Sequence, residues 1–350
     1  PRVRSMSSTT IRSSSTRPTP VNQSCSSLSP SAGYVNQSTV ARPSARVSTS
    51  QPSPERSGFR QCPECPGRTA RSFGTTATAC GASILAGRRL AAGPGLIYSP
   101  AGGTHHGRPA QASGFCYFND PVLAILALLD AGLERVFYLD VDAHHGDGVQ
   151  DAFHDDPRVF TLSIHEDARW PMADDGAGAL DDRAGGQARN LPVPEGFNDS
   201  EMDLLMEAAV LPLIEAFEPE ALVLQCGADA LAEDPLSKLA LSNGALWRVV
   251  ERVRGLAARL PQPRLLVLGG GGYNPWSVGR AWAGVWATLN GFAIPEHLPP
   301  AAEDVLRALE WRHSRGRNPP EAWFTTLGDP PRPGPLRPEI RDAAAAVLAP

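Results

Sequence analysis

From about residue 77 onward, short apolar runs alternate with longer amphipathic stretches. The runs are GLIYSP (95–100), RVFYLDVD (135–142), RVFTLSIH (158–165), ALVLQCGAD (221–229) and RLLVLGGGGY (264–273). Each is short, rich in β-branched and aromatic residues, and lacks the polar alternation of a half-exposed strand. Each therefore predicts a strand buried on both faces. Spacing of three to four between apolar positions predicts helices over 121–133, 201–217, 243–260 and 278–290. The last of these places Trp282, Val285, Trp286 and Leu289 on one face, as a core stripe. Strand–helix alternation of this kind predicts a three-layer α/β/α protein, its sheet mainly parallel with helices on both faces. Beyond residue 300, the segments NPPEAWF and DPPRPGPLRP predict an extended course over the body, closed by a short helix near 337–348.

The pattern fails before residue 77. Residues 1–76 are rich in Ser, Thr, Pro and Arg, with no sustained period of 2 or 3.6. They hold ten arginines and two acids, Glu55 and Glu64, a charge of +8; the whole chain carries −5, so residues 77–350 carry −13. A segment this poor in apolar surface cannot offset its chain entropy, and a disordered leader is the expectation. A basic arm for nucleic acid is the weaker reading, and a mistranslated or frameshifted stretch is a third.

Composition narrows the setting. With 350 residues and 42% hydrophobic content, the chain can bury a large core. No run reaches the roughly 18 apolar residues of a membrane span, and no secretory signal is visible. The six cysteines show no framework spacing, which favours a reducing, cytoplasmic setting. CPEC at 62–65 is half a zinc ribbon at most and reads as incidental. Lys238 is the only lysine; this is a coding bias rather than a binding device.

The chemistry sits at the strand ends, where open parallel sheets build their sites. The first strand runs into AGGTHHG, carrying His105 and His106. The second ends in Asp142, followed by His144, His145 and Asp147. The third ends at His165, the fourth at Asp229, the fifth at Gly269–Gly272 and Tyr273. Alternation along the second strand puts Asp140, Asp142 and His144 on one side. Asp142 and His144 can share a metal ion, with Asp229 as a third ligand. Three protein ligands and an open position form the pattern of a catalytic zinc site, although Fe(II) or Co(II) also suits mixed Asp/His ligation. Asp140 lies deeper, and as a buried carboxylate needs a partner. One of His105 and His106 can pair with it and the other with Asp147, which fixes the tautomer and raises basicity. Tyr273 can donate its hydroxyl to an oxyanion. The four glycines before it lack the Lys–Ser/Thr of a phosphate loop. His145 and His165 read as supporting histidines, and His154, His297 and His313 as exposed ones.

These residues lie in motifs that resemble the zinc-dependent histone deacetylase family, of the arginase/deacetylase fold: GGTHHG (102–107), SGFCYFND (113–120), YLDVDAHHGDGVQDAF (138–153), LSIHED (162–167), QCGADALAEDP (225–235) and LGGGGYNPWSVGRAW (268–282). The likeness is to the bacterial acetoin-utilisation and acetylpolyamine-amidohydrolase type and covers roughly 77–330. It implies metal ligands at Asp142, His144 and Asp229. It implies His106–Asp147 as the principal general base/acid pair, His105–Asp140 as the second, and Tyr273 as the group polarising the acetyl carbonyl. It further implies an acyl-lysine tunnel lined by Gly114 and Phe115, and a structural potassium ion near Asp140 and Ser163. Two departures stand out. The family's first strand and an acidic rim residue precede the tandem histidines, and the leader does not match them. The family's aromatic Phe-Pro-Gly-Thr-Gly loop appears here as RWPMADDGAG (169–178), with Trp170 as the aromatic wall.

The expectation is a cytoplasmic amidohydrolase of catalytic unit 77–330, with a tail over 331–350. It would release acetate from an acetylated protein or small-molecule amine, with no membrane or nucleic-acid partner; the sequence does not define the oligomeric state. The alternatives are a non-catalytic metal- or acyl-binding relative and, less favoured, a two-manganese ureohydrolase. The latter needs aspartates two residues apart, whereas Asp229 and Asp234 are separated by five.

Overall fold

The computed structural model describes residues 68–172 and 176–349. The leader expectation over 1–67, including the CPEC pair, lies outside the described residues. Helix α1 (Arg68–Ala92) begins inside the span read as leader and leads into strand β1 (Gly95–Ser99). This helix was not legible from apolar spacing, because the positions it buries are small: Ala79, Cys80, Ser83 and Ala86, followed by Leu90. They recur at helical spacing, and α1 packs on α2 (Asp120–Leu129) so closely that a Cβ on Gly87 would meet the Ala124 carbonyl at 2.5 Å.

The chain continues through β2 (Val136–Asp140), α3 (Asp147–Ala152), β3 (Val159–Glu166) and β4 (Ala188–Val193). Strand β4 carries the polar residues Arg189 and Asn190, which hid it from a search for apolar runs. Helix α4 (Asp199–Leu205) passes through a π-turn (Met206–Val210) into α5 (Leu211–Phe217). Next come β5 (Ala221–Gln225), α6 (Asn243–Ala257), β6 (Arg264–Leu268) and α7 (Pro275–Asn290). The short helices α8 (Pro300–Arg307), α9 (Ala322–Thr325) and α10 (Pro338–Ala346) complete the described chain.

All six described strands pair in parallel, in the order β1-β6-β5-β2-β3-β4. Alternate strand residues feed two cores. Val136, Tyr138, Val223 and Leu266 pack with α1 and α2 residues on one face. Phe137, Leu139, Leu222, Leu224 and Val267 pack with α4–α7 and α10 on the other. This is the expected three-layer α/β/α architecture with helices on both faces. From β2 the chain moves outward to β3 and β4, whereas β5 lies on the other side of β2 and is followed outward by β6. The reversal opens a crevice beyond the carboxyl ends of β2 and β5, where Asp142 and Asp229 lie.

One core assignment, Trp286, and one exposed assignment, His313, need correction. Trp286 is 52% exposed, as the α7 face turns outward beyond Val285 and Leu289, which remain buried; Trp286 packs on exposed Phe292 instead. His313 is half-buried, stacked on Trp311 with its ring accepting from the Arg315 amide.

Candidate metal centre and adjoining pocket

Past the end of β2, the backbone curls so that successive polar groups lock one another. Asp140 accepts from the Asp142 amide at 3.0 Å, and Asp142 from the His144 amide at 3.0 Å. From β5, Asp229 accepts from the Ala143 amide at 2.9 Å. The result gathers Asp142, His144 and Asp229, all buried, with one ligand atom of each within 4.8 Å of the others. His144 Nδ1 lies 3.2 Å from Asp142 and 3.0 Å from Asp229. Two buried carboxylates facing one imidazole are short of positive charge, which is the condition a divalent cation relieves.

The electrostatics express the same deficit. Burial opposes a charge on His144, but Asp142 and Asp229 outweigh it and push its pKa up to about 10. Burial, then the charge of Asp142, holds Asp229 above the usual carboxylate range. Asp142 lies well below that range: burial works against its charge, but His105, His144 and Gln225 overcome it. A bound metal would take the place of the His144 proton, so binding must release it. Apparent metal affinity is therefore expected to fall about tenfold for each pH unit from 8 down to 6. Competition titration against a chromophoric chelator reads this directly, and a pH-independent affinity would contradict it.

Two residues that sequence reasoning missed complete the cradle. Gln225 closes an otherwise apolar strand and donates Nε2–H to Asp142 at 2.9 Å. The Gly271 amide donates to the same carboxylate oxygen at 2.8 Å. Gly271 has no room for a side chain, since a Cβ there would run into the Asp229 carboxylate. A polar residue ending an apolar strand, next in sequence to a Cys-Gly-Ala-Asp turn, was the available signal.

The tandem histidines divide between the two remaining aspartates. His105 Nδ1 meets Asp140 at 2.7 Å, and that oxygen also accepts from the Tyr138 hydroxyl at 2.7 Å. His106 Nδ1 meets Asp147 at 2.7 Å, while Arg108 donates to the other Asp147 oxygen at 2.6 Å. Facing carboxylates, both rings donate from Nδ1; His106 Nε2 is left as an acceptor, whereas His105 Nε2 faces Asp142 at 3.8 Å. Their environments drive the pair apart. Burial, then the neighbouring charge of His105, lowers His106 to about 4. Burial also opposes a charge on His105, but Asp140 and Asp142 together raise it to about 9.

A cavity of about 380 Å³ opens onto these groups, lined by His106, Gly114, Phe115, His144, Ala168, Arg169, Trp170, Leu236 and Tyr273. Trp170 stands edge-on to His106, ring centroids 4.7 Å apart. Gly114 is held at φ +50° between them, where a side chain would strike both rings. Phe115, 80% exposed, stands at the mouth, its ring 6.0 Å from that of Tyr273. Burial, then Asp229 and Asp142, raises the Tyr273 phenol, so it stays a donor. Its amide is fixed by buried Asp234 at 2.6 Å. Asp234, five residues from Asp229 rather than two, is thus engaged by an amide; among the described residues only the Asp142–His144–Asp229 cluster forms. A larger cavity of about 590 Å³ lies near the opposite ends of the strands, between Arg135, Glu218, Glu220 and Arg264. No histidine or cysteine lines it, so size does not locate the chemistry here.

Other expected positions are placed as follows. Asp140 and Ser163 are register partners on β2 and β3. Ser163 Oγ lies 2.9 Å from His165 Nδ1, and His165 Nε2 lies 3.1 Å from the Gly178 carbonyl. His145 is buried against Gln150 and the His165 ring.

The three-layer parallel α/β fold thus carries a buried Asp–His–Asp cluster that could hold a metal ion, flanked by two His–Asp pairs under a pocket. The sequence model of the histone deacetylase domain matches residues 7–289, and the chain belongs to the histone deacetylase family. It is 33% identical to the acetoin utilization protein AcuC of Bacillus subtilis (strain 168), over 77% of this chain and 70% of that protein. It is 40% identical to histone deacetylase 1 of Homo sapiens, over 57% of this chain and 40% of that protein. The chain thus spans about two fifths of the length of the first curated relatives it matches. The crystal structure of an HDAC homolog from Aquifex aeolicus superposes with a TM-score of 0.69 at 35% identity, covering 78% of this chain and 73% of that one. A structure of an HDAC homolog complexed with SAHA gives 0.70 at 36% identity, with the same coverage. None of the described helices is long and apolar enough to cross a membrane.

Proposed function

We propose that the protein is a zinc-dependent amidohydrolase that removes the acetyl group from an N-acetylated amine, either acetyl-lysine or an acetylpolyamine, in the cytoplasm. The observation that carries this reading is that His144 of the metal cluster, neutral His106 and the Tyr273 phenol line one cavity. Asp142, His144 and Asp229 would hold Zn2+, although Fe(II) or Co(II) also suits the donor set. When bound, the metal supplies Lewis acidity to the amide carbonyl and lowers the pKa of water.

The remaining steps belong to the chain. Gly114, Phe115, Trp170 and Leu236 bind the acyl chain and exclude water. His106, kept neutral by burial and by His105, accepts the proton of the attacking water at Nε2, and Asp147 stabilises the imidazolium through Nδ1–H. Tyr273 donates its hydroxyl to the developing oxyanion. As the C–N bond breaks, the proton on His106 passes to the leaving amine, giving acetate and a free amine. His105, charged and paired with Asp140, orients the same corner. A structural potassium ion would sit where Asp140 and Ser163 adjoin.

The test is acetate release from acetyl-lysine peptides and acetylpolyamines by the zinc-loaded full chain. Turnover with one metal per chain supports the reading. One zinc per chain with no acetate from either substrate class would make it a binding protein. Two metals per chain with urea release from guanidino substrates would make it a ureohydrolase.

A further inference from the structure

The walls of the pocket come from segments distant in sequence. Trp170 and Arg169 follow β3, and Leu236 lies in the long loop after β5. One buried side chain reaches both. Glu166, the last residue of β3, has a side chain only 5% exposed. It accepts a two-pronged pair of hydrogen bonds from Arg169, from Nε and from Nη2, the latter at 2.8 Å. It also accepts from the Lys238 amide at 2.9 Å. Its own amide donates to the Ala143 carbonyl at 2.9 Å, one residue from Asp142 and His144. Glu166 therefore stands on the ligand-bearing turn and holds one wall in each hand.

We propose that Glu166 is a positioning residue that fixes the width of the substrate pocket by tying the Trp170 wall, through Arg169, to the Leu236 wall, through the Lys238 amide. A buried carboxylate is stable only when paired, so it holds the arginine tightly. The arginine fork permits one orientation, which a point-charge lysine would not enforce. Among the described residues, the other fixed points of 167–172 include the Asp167 amide on the Val193 carbonyl and the Trp170 ring against His106 and His144. The far side of the post-β5 loop is secured separately, by Gly196 donating to the Lys238 carbonyl and Lys238 Nζ pairing with Glu195. Loss of Glu166 therefore frees the Trp170 side first.

The inference rests on the deacetylase reading, and the experiment keeps the two apart. Glu166→Gln keeps an acceptor for the Lys238 amide but loses the ionic fork; Glu166→Ala loses both. In the zinc-loaded full chain, Glu166→Gln is expected to raise KM about tenfold with kcat within threefold of the parent, since only uniform binding is lost. Arg169→Lys, which keeps the charge and the Lys238 bond but loses the fork, should fall between the parent and Glu166→Gln. Metal content per chain should not change. A merely structural residue would instead lower the active fraction, reducing kcat with KM unchanged, and that result overturns the proposal. The second readout needs no turnover: the fluorescence difference between each protein and its Trp170→Phe version isolates Trp170. Its emission should shift to the red in the Glu166→Gln background as the wall swings into water. An unshifted Trp170 signal refutes the clamp even if the wild type hydrolyses nothing; a shifted signal in a protein without turnover leaves the clamp standing and removes the deacetylase reading.

Discussion

Replacing Tyr273 by Phe is expected to lower kcat for acetyl hydrolysis by about 10²- to 10³-fold, the usual cost of removing one preorganised oxyanion donor. The substitution deletes one oxygen and leaves the rest in place. The ring keeps its neighbour Phe115, and the backbone keeps its bond to Asp234, which fixes the amide and not the hydroxyl. Metal content should therefore remain that of the wild type. His106→Ala removes a general base and is expected to cost about 10²- to 10⁴-fold. It also leaves Asp147 facing the Arg108 guanidinium, which it shares with Asp151. Because the two residues act on the same transition state, the double variant should lose much less than the product of the single losses. Steady-state kinetics beside metal analysis on each variant decides the matter. Turnover within threefold of wild type for either single variant would remove that residue from the mechanism.

Much of this site could be read from sequence because the fold converts spacing into geometry. Asp142 and His144 follow a strand that alternates, so their shared side was legible from spacing. Asp229 was a candidate third ligand from another strand end; the family resemblance selected it, and the structure shows why it joins them, since its strand pairs with theirs. What spacing alone left open was the residue-by-residue partnership, which the family resemblance supplied and the structure matches. His105 and His106 are neighbours in sequence, and nothing local says which faces Asp140 and which Asp147; the close packing of α1, α2 and the loop between β1 and α2 decides it. Gln225 and Asp234 were equally hidden. Each is one polar residue in a run whose neighbours carry the louder signal, and each acts by accepting or donating to a group from another strand end. Trp286 shows the converse limit. Helical spacing identifies a face of α7 but not the width of the layer beneath it, so the stripe was read one residue too wide. Helix α1 escaped because close helix packing uses Ala, Gly and Ser, which leave no hydrophobic period.

The second large effect concerns Asp229, and its direction depends on whether metal is present. With metal in excess, the wild type should gain stability by mass action, about 4 kcal/mol at a thousandfold excess over Kd, while Asp229→Asn should gain little. Without metal the order reverses. Burial and the charge of Asp142 hold the Asp229 carboxyl above its ordinary range, so its ionised form is a cost to the folded state. Asparagine keeps an acceptor for the Ala143 amide, which Asp229 now serves at 2.9 Å, and carries no charge. The chelated variant should therefore melt no lower than the chelated wild type. The pH trend follows from the same groups. A carboxyl with a raised folded pKa binds its proton more tightly when folded, so its contribution is lost as pH rises through that pKa. His144, raised to about 10, and His105, raised to about 9, contribute stability that is complete below the unfolded value near 6.5 and lost above it. His106, lowered to about 4, completes its change below this window. Asp229, raised to about 7, has lost its contribution by neutral pH; His144 and His105 then make the metal-free wild type less stable from pH 6.5 to 9, while deprotonation makes metal binding tighter over the same interval. The rise in Tm on adding zinc should grow with pH in the wild type and stay small in Asp229→Asn. Thermal melts at three pH values, with zinc and with chelator, separate this from a site that binds no metal, for which the two curves would coincide throughout.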